Sequence, residues 1–190
     1  MQLNRLWPIL LALVILVAAI GVARYLTTQD ADVDTLPTQI IQGYGQVTPL
    51  PKAAQQPKKG AKVVFDVTAD AKPGEVNRGL DRVARLMNLY AATGLGERDV
   101  RVVLVMHGEA TKSALLDKAY ADRFEVKENP NLPLLRQLKE HGVEVYVCGQ
   151  ALRNKKMTDA EVSPEITIAV TAFMVLVNKQ GEGYAYVPAP

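Results

Sequence analysis

Cysteine is almost missing from this chain of 190 residues, in which Cys148 is the one thiol. A lone cysteine forms no internal disulfide, so no disulfide framework holds the fold together. In an oxidising compartment such a thiol is buried and inert, paired between chains, or reactive. Histidine is nearly as scarce, with only His107 and His141. These residues lie far apart in sequence and match no zinc-ligand spacing, so no metal site is expected. Charge of one sign is also missing: 22 basic against 20 acidic residues leave +2. That excess is no footprint for a polyphosphate, and no nucleic-acid partner is expected. No Gly-x-x-x-x-Gly-Lys loop, no Gly-x-Gly-x-x-Gly fingerprint after the first strand signal and no glycine-flanked serine elbow occur. Nucleotide binding and serine hydrolysis are therefore disfavoured, and no cofactor is expected.

What is present has an ordinary globular balance, 48% hydrophobic and 22% charged, at a length that suits one domain with appendages. Leu6 to Val22 is an apolar run broken by Pro8 and preceded by Arg5. Such a run is short for a transmembrane helix and long for a signal-peptide core. Gly21-Val22-Ala23 offers small residues to a signal peptidase, but Arg24-Tyr25-Leu26 continues without a break. The expectation for residues 1–26 is a signal peptide or membrane anchor. Either exports the body, as a periplasmic domain held at the inner membrane by an uncleaved helix or as a protein secreted after cleavage. Residues 27–60 are punctuated by Pro37, Pro49, Pro51 and Pro57 and solvated by Lys52, Lys58 and Lys59. They read as a linker.

The body, residues 61–190, alternates strand and helix signals. Lys62 to Thr68 is rich in β-branched residues and reads as a strand. From about Glu75 to Ala92 a stripe of Val76, Leu80, Val83, Leu86, Met87 and Tyr90 predicts a helix, stopped by Gly94 and Gly96. Val100 to Met106 is apolar enough for a strand buried on both faces. Lys112 to Phe124 reads as a helix, and Asn131 as the cap of another that runs to Glu140. Val143 to Val147 is a third strand, followed by a short polar helix over Ala151 to Lys156 and a capping box at Thr158 to Glu161. Glu165 to Val170 reads as a strand and Tyr184 to Val187 as a last one. Thr171 to Gln180 fits both periodicities, and helix is preferred because alternating elements imply a parallel sheet with right-handed crossovers.

In open parallel sheets ligands bind at the carboxyl ends of the strands. Three such ends carry chemistry: Thr68 with Asp70, His107-Gly108-Glu109, and Cys148-Gly149-Gln150. Cys148 stands where a helix would begin, a position whose N–H groups favour a thiolate, and Arg153, Lys155 and Lys156 follow. The same cysteine also reads as a small buried hydrophobe closing a strand. His107 is a base or thiolate partner in one reading and a strand-end hydrogen-bonder in the other. Glu109 is either a site acid or a solvated loop residue. His141, before Gly142 at a helix end, is structural.

Several segments resemble the DsrE/DsrF-like (sulfur-relay) family, in particular its exported members. They are Leu80 to Tyr90, Val103 to Ala110, Leu138 to Leu152 with its strand-end Cys148-Gly149-Gln150, and Val177 to Tyr184. The resemblance covers about Lys62 to Val187. It implies a three-layer α/β/α fold with a mostly parallel five-stranded sheet, here preceded by the apolar anchor helix, and a homo-oligomer, trimer or hexamer. It also implies that Cys148 accepts sulfur as a persulfide and passes it to a partner protein. Arg153 resembles the basic residue that follows the family's cysteine, and His107, Gly108, Glu109, Gly149 and Gln150 are the further candidate binding residues at the strand ends. The competing expectation is a non-enzymatic oligomeric binding or assembly module in which Cys148 is structural, with a thiol redox sensor as a third.

Overall fold

The structure, a computed structural model, describes residues 39–69 and 71–190. The apolar run of residues 6–22, with the anchor and cleavage readings, and Asp70 lie outside the described residues. Among the described residues no helix is long and apolar enough to cross a membrane.

Five strands form one parallel sheet: β1 (Ala61–Val67), β2 (Val100–Met106), β3 (Glu144–Cys148), β4 (Thr167–Ala169) and β5 (Ala185–Ala189). Their order is β4-β3-β2-β1-β5, and all four pairings are parallel. The chain steps outward from β1 to β4 through α1 (Arg78–Ala92), α2 (Asp117–Phe124), α3 (Leu132–Glu140) and α4 (Gly149–Asn154). It then returns to the far edge through α5 (Ala172–Gly181). Right-handed crossovers place helices on opposite faces when the direction of travel reverses. The two cores follow that rule. On one face Phe65, Val67, Leu104, Met106 and Val147 pack with Leu80, Met87, Leu134 and Leu138 of α1 and α3. On the other, Val64, Val103, Val105 and Cys148 meet Ala172 and Val175 of α5, with Tyr184. One face thus carries a full helical layer and the other a single helix, giving an α/β/α arrangement around a five-stranded sheet.

The ambiguous stretch after Thr171 is helical, as preferred. Pro188 lies inside β5 rather than ending it, paired with Asp66. An edge strand tolerates a residue without an N–H.

Three local expectations are corrected. The helix expected over Lys112 to Phe124 is split into a 3-10 turn, Gly108–Ala114, and α2. Leu115 separates them, fully buried, extended and bridged to Val162. The helix expected from about Glu75 begins at Arg78, because the Asn77 side chain accepts from the Gly79 and Leu80 N–H groups and caps it there. Asn131 stands before α3, but its side chain does not cap it. Its Oδ1 accepts from Asn77 N at 2.8 Å and its Nδ2 donates to Asn129 Oδ1 at 3.0 Å. Asn129 in turn donates to the Ser113 and Leu115 carbonyls. These buried amides tie the loops after β1 and β2 to the start of α3, where unpaired backbone groups would be costly.

Part of the stretch read as a solvated linker is fixed to the body. Asn88 of α1 accepts from the Ile40 and Ile41 N–H groups and donates to the Ile41, Tyr44 and Gly45 carbonyls. Asp81 accepts from Gly45 N at 2.7 Å, and Ile41 is fully buried in the main core. Gly45 has φ +57°, and a Cβ there would lie 2.2 Å from Arg85 N, so only glycine fits against α1. Ile41 had no periodic partner nearby in sequence to reveal it.

Candidate functional site

The carboxyl ends of β1, β2 and β3 bring the candidate residues to one rim. Side chains alternate along a strand, and Asp66, Val105 and Tyr146 share one level of the sheet. One pair further, His107 and Cys148 follow Met106 and Val147, which face each other in the register. His107 and Cys148 therefore stand level on neighbouring strand ends, on the face that α5 covers. Adjacent strands run about 4.8 Å apart. No direct hydrogen bond joins the two.

His107 instead turns toward β1. Its Nε2 lies 2.6 Å from Asp66 Oδ1, and both side chains are partly buried. The Asp66 carboxylate accepts a second bond from the Tyr186 hydroxyl of β5 at 2.8 Å. That bond raises the Tyr186 phenol above its ordinary range, since losing the proton would set two anions together. Facing the Asp66 carboxylate, Nε2 carries the ring hydrogen, and a neutral His107 keeps Nδ1 as its acceptor. The result is a Tyr186–Asp66–His107 array across the adjacent strands β5, β1 and β2. No motif in the sequence marks Asp66 or Tyr186. Asp66 did leave a trace, a carboxylate between buried Phe65 and Val67, on the same side as Val64. Nothing local in Tyr184 to Val187 singled out Tyr186, because only the sheet order sets β5 beside β1.

Cys148 is a free cysteine, 5% exposed. It is the N-cap of α4, and its Sγ accepts from Ala151 N at 3.4 Å. The thiol also reaches the Thr171 hydroxyl at 3.9 Å, before α5. Gly149 is required beside it: a Cβ would lie 2.8 Å from the Ala169 carbonyl at the end of β4. Gln150 is exposed in the first turn of α4.

The remaining expected residues go elsewhere. Arg153 turns to Asp159, with Nη2 at 2.9 Å, and this pairing raises the guanidinium's affinity for its proton and lowers the Asp159 carboxyl. It makes no bond to Cys148. After Gly108, Glu109 pairs with Lys155 at 2.6 Å. The Thr68 carbonyl accepts from the Glu109 and Ala110 N–H groups, fixing the loop after β2 to the end of β1. His141 pairs with Glu97 at 2.7 Å, at the opposite end of the sheet and away from the rim. Among the described residues no group of three or more His, Cys, Asp or Glu could hold a metal ion.

Comparison with known proteins agrees with this architecture. No curated protein matches the chain. A solved structure described as a protein of unknown function, MTH1491 from Methanobacterium thermoautotrophicum, aligns with a TM-score of 0.50 at 21% identity. The alignment covers 67% of this chain and 98% of that one, and it speaks for the fold. The sequence profile of the DsrE/DsrF-like family matches residues 62–188. With that match spanning well over half its length, from the first strand to the last, the chain belongs to the DsrE/DsrF-like family.

Proposed function

We propose that this chain is a sulfur carrier in which Cys148 holds a sulfane sulfur as a persulfide. The observation that carries this reading is the setting of the thiol: a single cysteine at a strand end, opening α4 with a backbone N–H on its sulfur, level with a histidine held by a carboxylate. His107, through Nδ1 directly or by one water, takes the thiol proton, and Asp66 stabilises the imidazolium. The Cys148 thiolate then attacks the outer sulfur of a donor such as thiosulfate. A new S–S bond forms, the donor's S–S bond breaks, and its electron pair leaves with sulfite. A nucleophile of the acceptor attacks the terminal sulfur and returns the Cys148 thiolate. No oxidant is consumed.

The test uses thiosulfate labelled in its outer sulfur. Label should stay with the protein after gel filtration, leave as thiocyanate on adding cyanide, and be absent from Cys148→Ser. Label retained equally by Cys148→Ser would defeat the reading.

A second reading, a non-enzymatic assembly module, draws on the burial of Cys148 among Val103, Val105, Ala172 and Val175. Both readings include self-association, as a trimer or hexamer. Its support is the outer face of α5, where Phe173, Met174 and Val177 are 70%, 46% and 58% exposed. We also propose that residues 1–26 export the chain and hold the body in the periplasm, on the strength of the apolar run that follows Arg5.

A further inference from the structure

Thr171 stands at the N-cap of α5 and does not cap it. Threonine is favoured at such a position because its oxygen accepts from an N–H of the first turn. Here that turn closes on the Thr171 carbonyl alone, which accepts from Met174 N and Val175 N. The hydroxyl goes to the Cys148 sulfur instead, at 3.9 Å, its one hydrogen-bond contact among the described residues.

That approach is built into the backbone. A Cβ at Gly149 would lie 2.8 Å from the Ala169 carbonyl and 3.5 Å from that of Val170. Its absence lets the end of β4 close on the start of α4, and Thr171 is the next residue of the chain. Ala172 then packs with Cys148 in the core under α5. The sulfur therefore has two polar partners, Ala151 N–H from the helix it opens and the Thr171 hydroxyl from the next.

These partners differ in kind. The N–H only donates, whereas a hydroxyl accepts as well and turns about its C–O bond to suit. In the resting protein the Cys148 thiol donates to Thr171 Oγ1. Once the thiol hydrogen leaves, the sulfur is an anion only 5% exposed, with little water to solvate it. A hydrogen bond to the charged form then favours that form. We propose that Thr171 is a positioning residue for Cys148: its hydroxyl receives the thiol hydrogen at rest and turns to donate to the sulfur when the thiolate forms. Charge-assisted bonds are shorter than neutral ones, so the contact tightens in that state. The Thr171 proton stays on its oxygen throughout, and the thiol proton goes to His107. The role rests on the sulfur-carrier reading for the use of the thiolate, while the bond itself needs no sulfur donor.

The ultraviolet absorbance of the thiolate in the full chain, followed against pH with the matching Cys148→Ser protein subtracted, tests it. Cys148 is the one thiol, so the signal belongs to a single group. His107 on the neighbouring strand end and Tyr146 and Tyr184 in the same core also titrate, but they are common to every variant. The nearest charges of α4 and its end, Arg153 and Lys155, are taken up by Asp159 and Glu109. Thr171→Val keeps the shape and removes the hydroxyl, and its thiolate should appear about one pH unit higher than in the wild type. Thr171→Ser keeps the hydroxyl and loses the methyl, and should follow the wild-type profile. An unmoved profile in Thr171→Val, a move to lower pH such as an opened and wetter site would give, or a Thr171→Ser profile that follows Thr171→Val would overturn the proposal. The labelled-thiosulfate test is separate: a shift without uptake of label would sink the carrier reading alone, and uptake without a shift would sink this role alone.

Discussion

At the scale of single residues the site rests on Asp66. Its carboxylate takes one bond from His107 and one from Tyr186, so it fixes which nitrogen of the imidazole stays open. Asp66→Asn should leave the fold intact but remove the charge that stabilises an imidazolium. Uptake of sulfur by Cys148 should then slow by about 10²-fold, the low end for general-base help. Nitrogen-detected NMR should show the neutral His107 ring losing its strict Nε2–H form. Tyr186 supplies a pH test. Its proton is held more tightly in the folded chain than the ordinary phenol value of 10.0. The bond's contribution is therefore present below pH 10 and lost as pH rises through the raised folded value. Tyr186→Phe should flatten that alkaline loss in a urea-unfolding series taken at increasing pH. His107 and Cys148 were legible in the sequence because each ends an apolar strand beside a glycine. Asp66 and Tyr186 acquire their meaning only from strand neighbours 41 and 120 positions away in sequence from their bonding partners.

At the scale of elements, the strands and most helices were legible because burial on both faces gives β2 a long apolar run, β-branched residues mark β1, and α1 keeps one clean stripe. What failed was local and had a tertiary cause. Leu115 interrupts an apparent helix because its side chain and its bridge to Val162 are worth more than continued helical bonds. Asn131 gives up a cap to serve a buried network that no sequence period announces. Residues 39–46 read as linker by composition, yet they dock on α1. Ile41→Ala should cost about 2–5 kcal/mol in denaturant unfolding, as for a fully buried aliphatic residue. Asn88→Ala should cost at least about 1–3 kcal/mol, since five bonds to the segment are lost together. A chain shortened through Gln46 should show a loss of the same order relative to the full chain. Unchanged stability would mean that the docked segment is dispensable.

At the scale of the whole molecule the sheet is covered unevenly, by a full helical layer on one side and by α5 alone on the other. The site sits under that thin side, with Thr171 and Ala172 of the α5 entry against Cys148. The exposed Phe173 and Val177 therefore lie on the element that roofs the thiol. If a second copy covers this face, assembly also controls access to Cys148. The double substitution Phe173→Glu, Val177→Glu should lower the mass measured by light scattering to that of a monomer. It should also speed alkylation of Cys148 by iodoacetamide. A wild-type chain already at monomer mass, or a mass unchanged by the substitutions, would remove the support that this face gives to self-association.

The central claim is that Cys148 carries sulfur, and intact mass spectrometry of the reduced full-length chain after brief exposure to polysulfide tests it most directly. The account predicts a gain of one sulfur on the wild-type protein, removed by dithiothreitol and absent from Cys148→Ser. No adduct, together with a thiol that resists iodoacetamide until the protein is unfolded, would contradict it and leave Cys148 a packing residue of an assembly module.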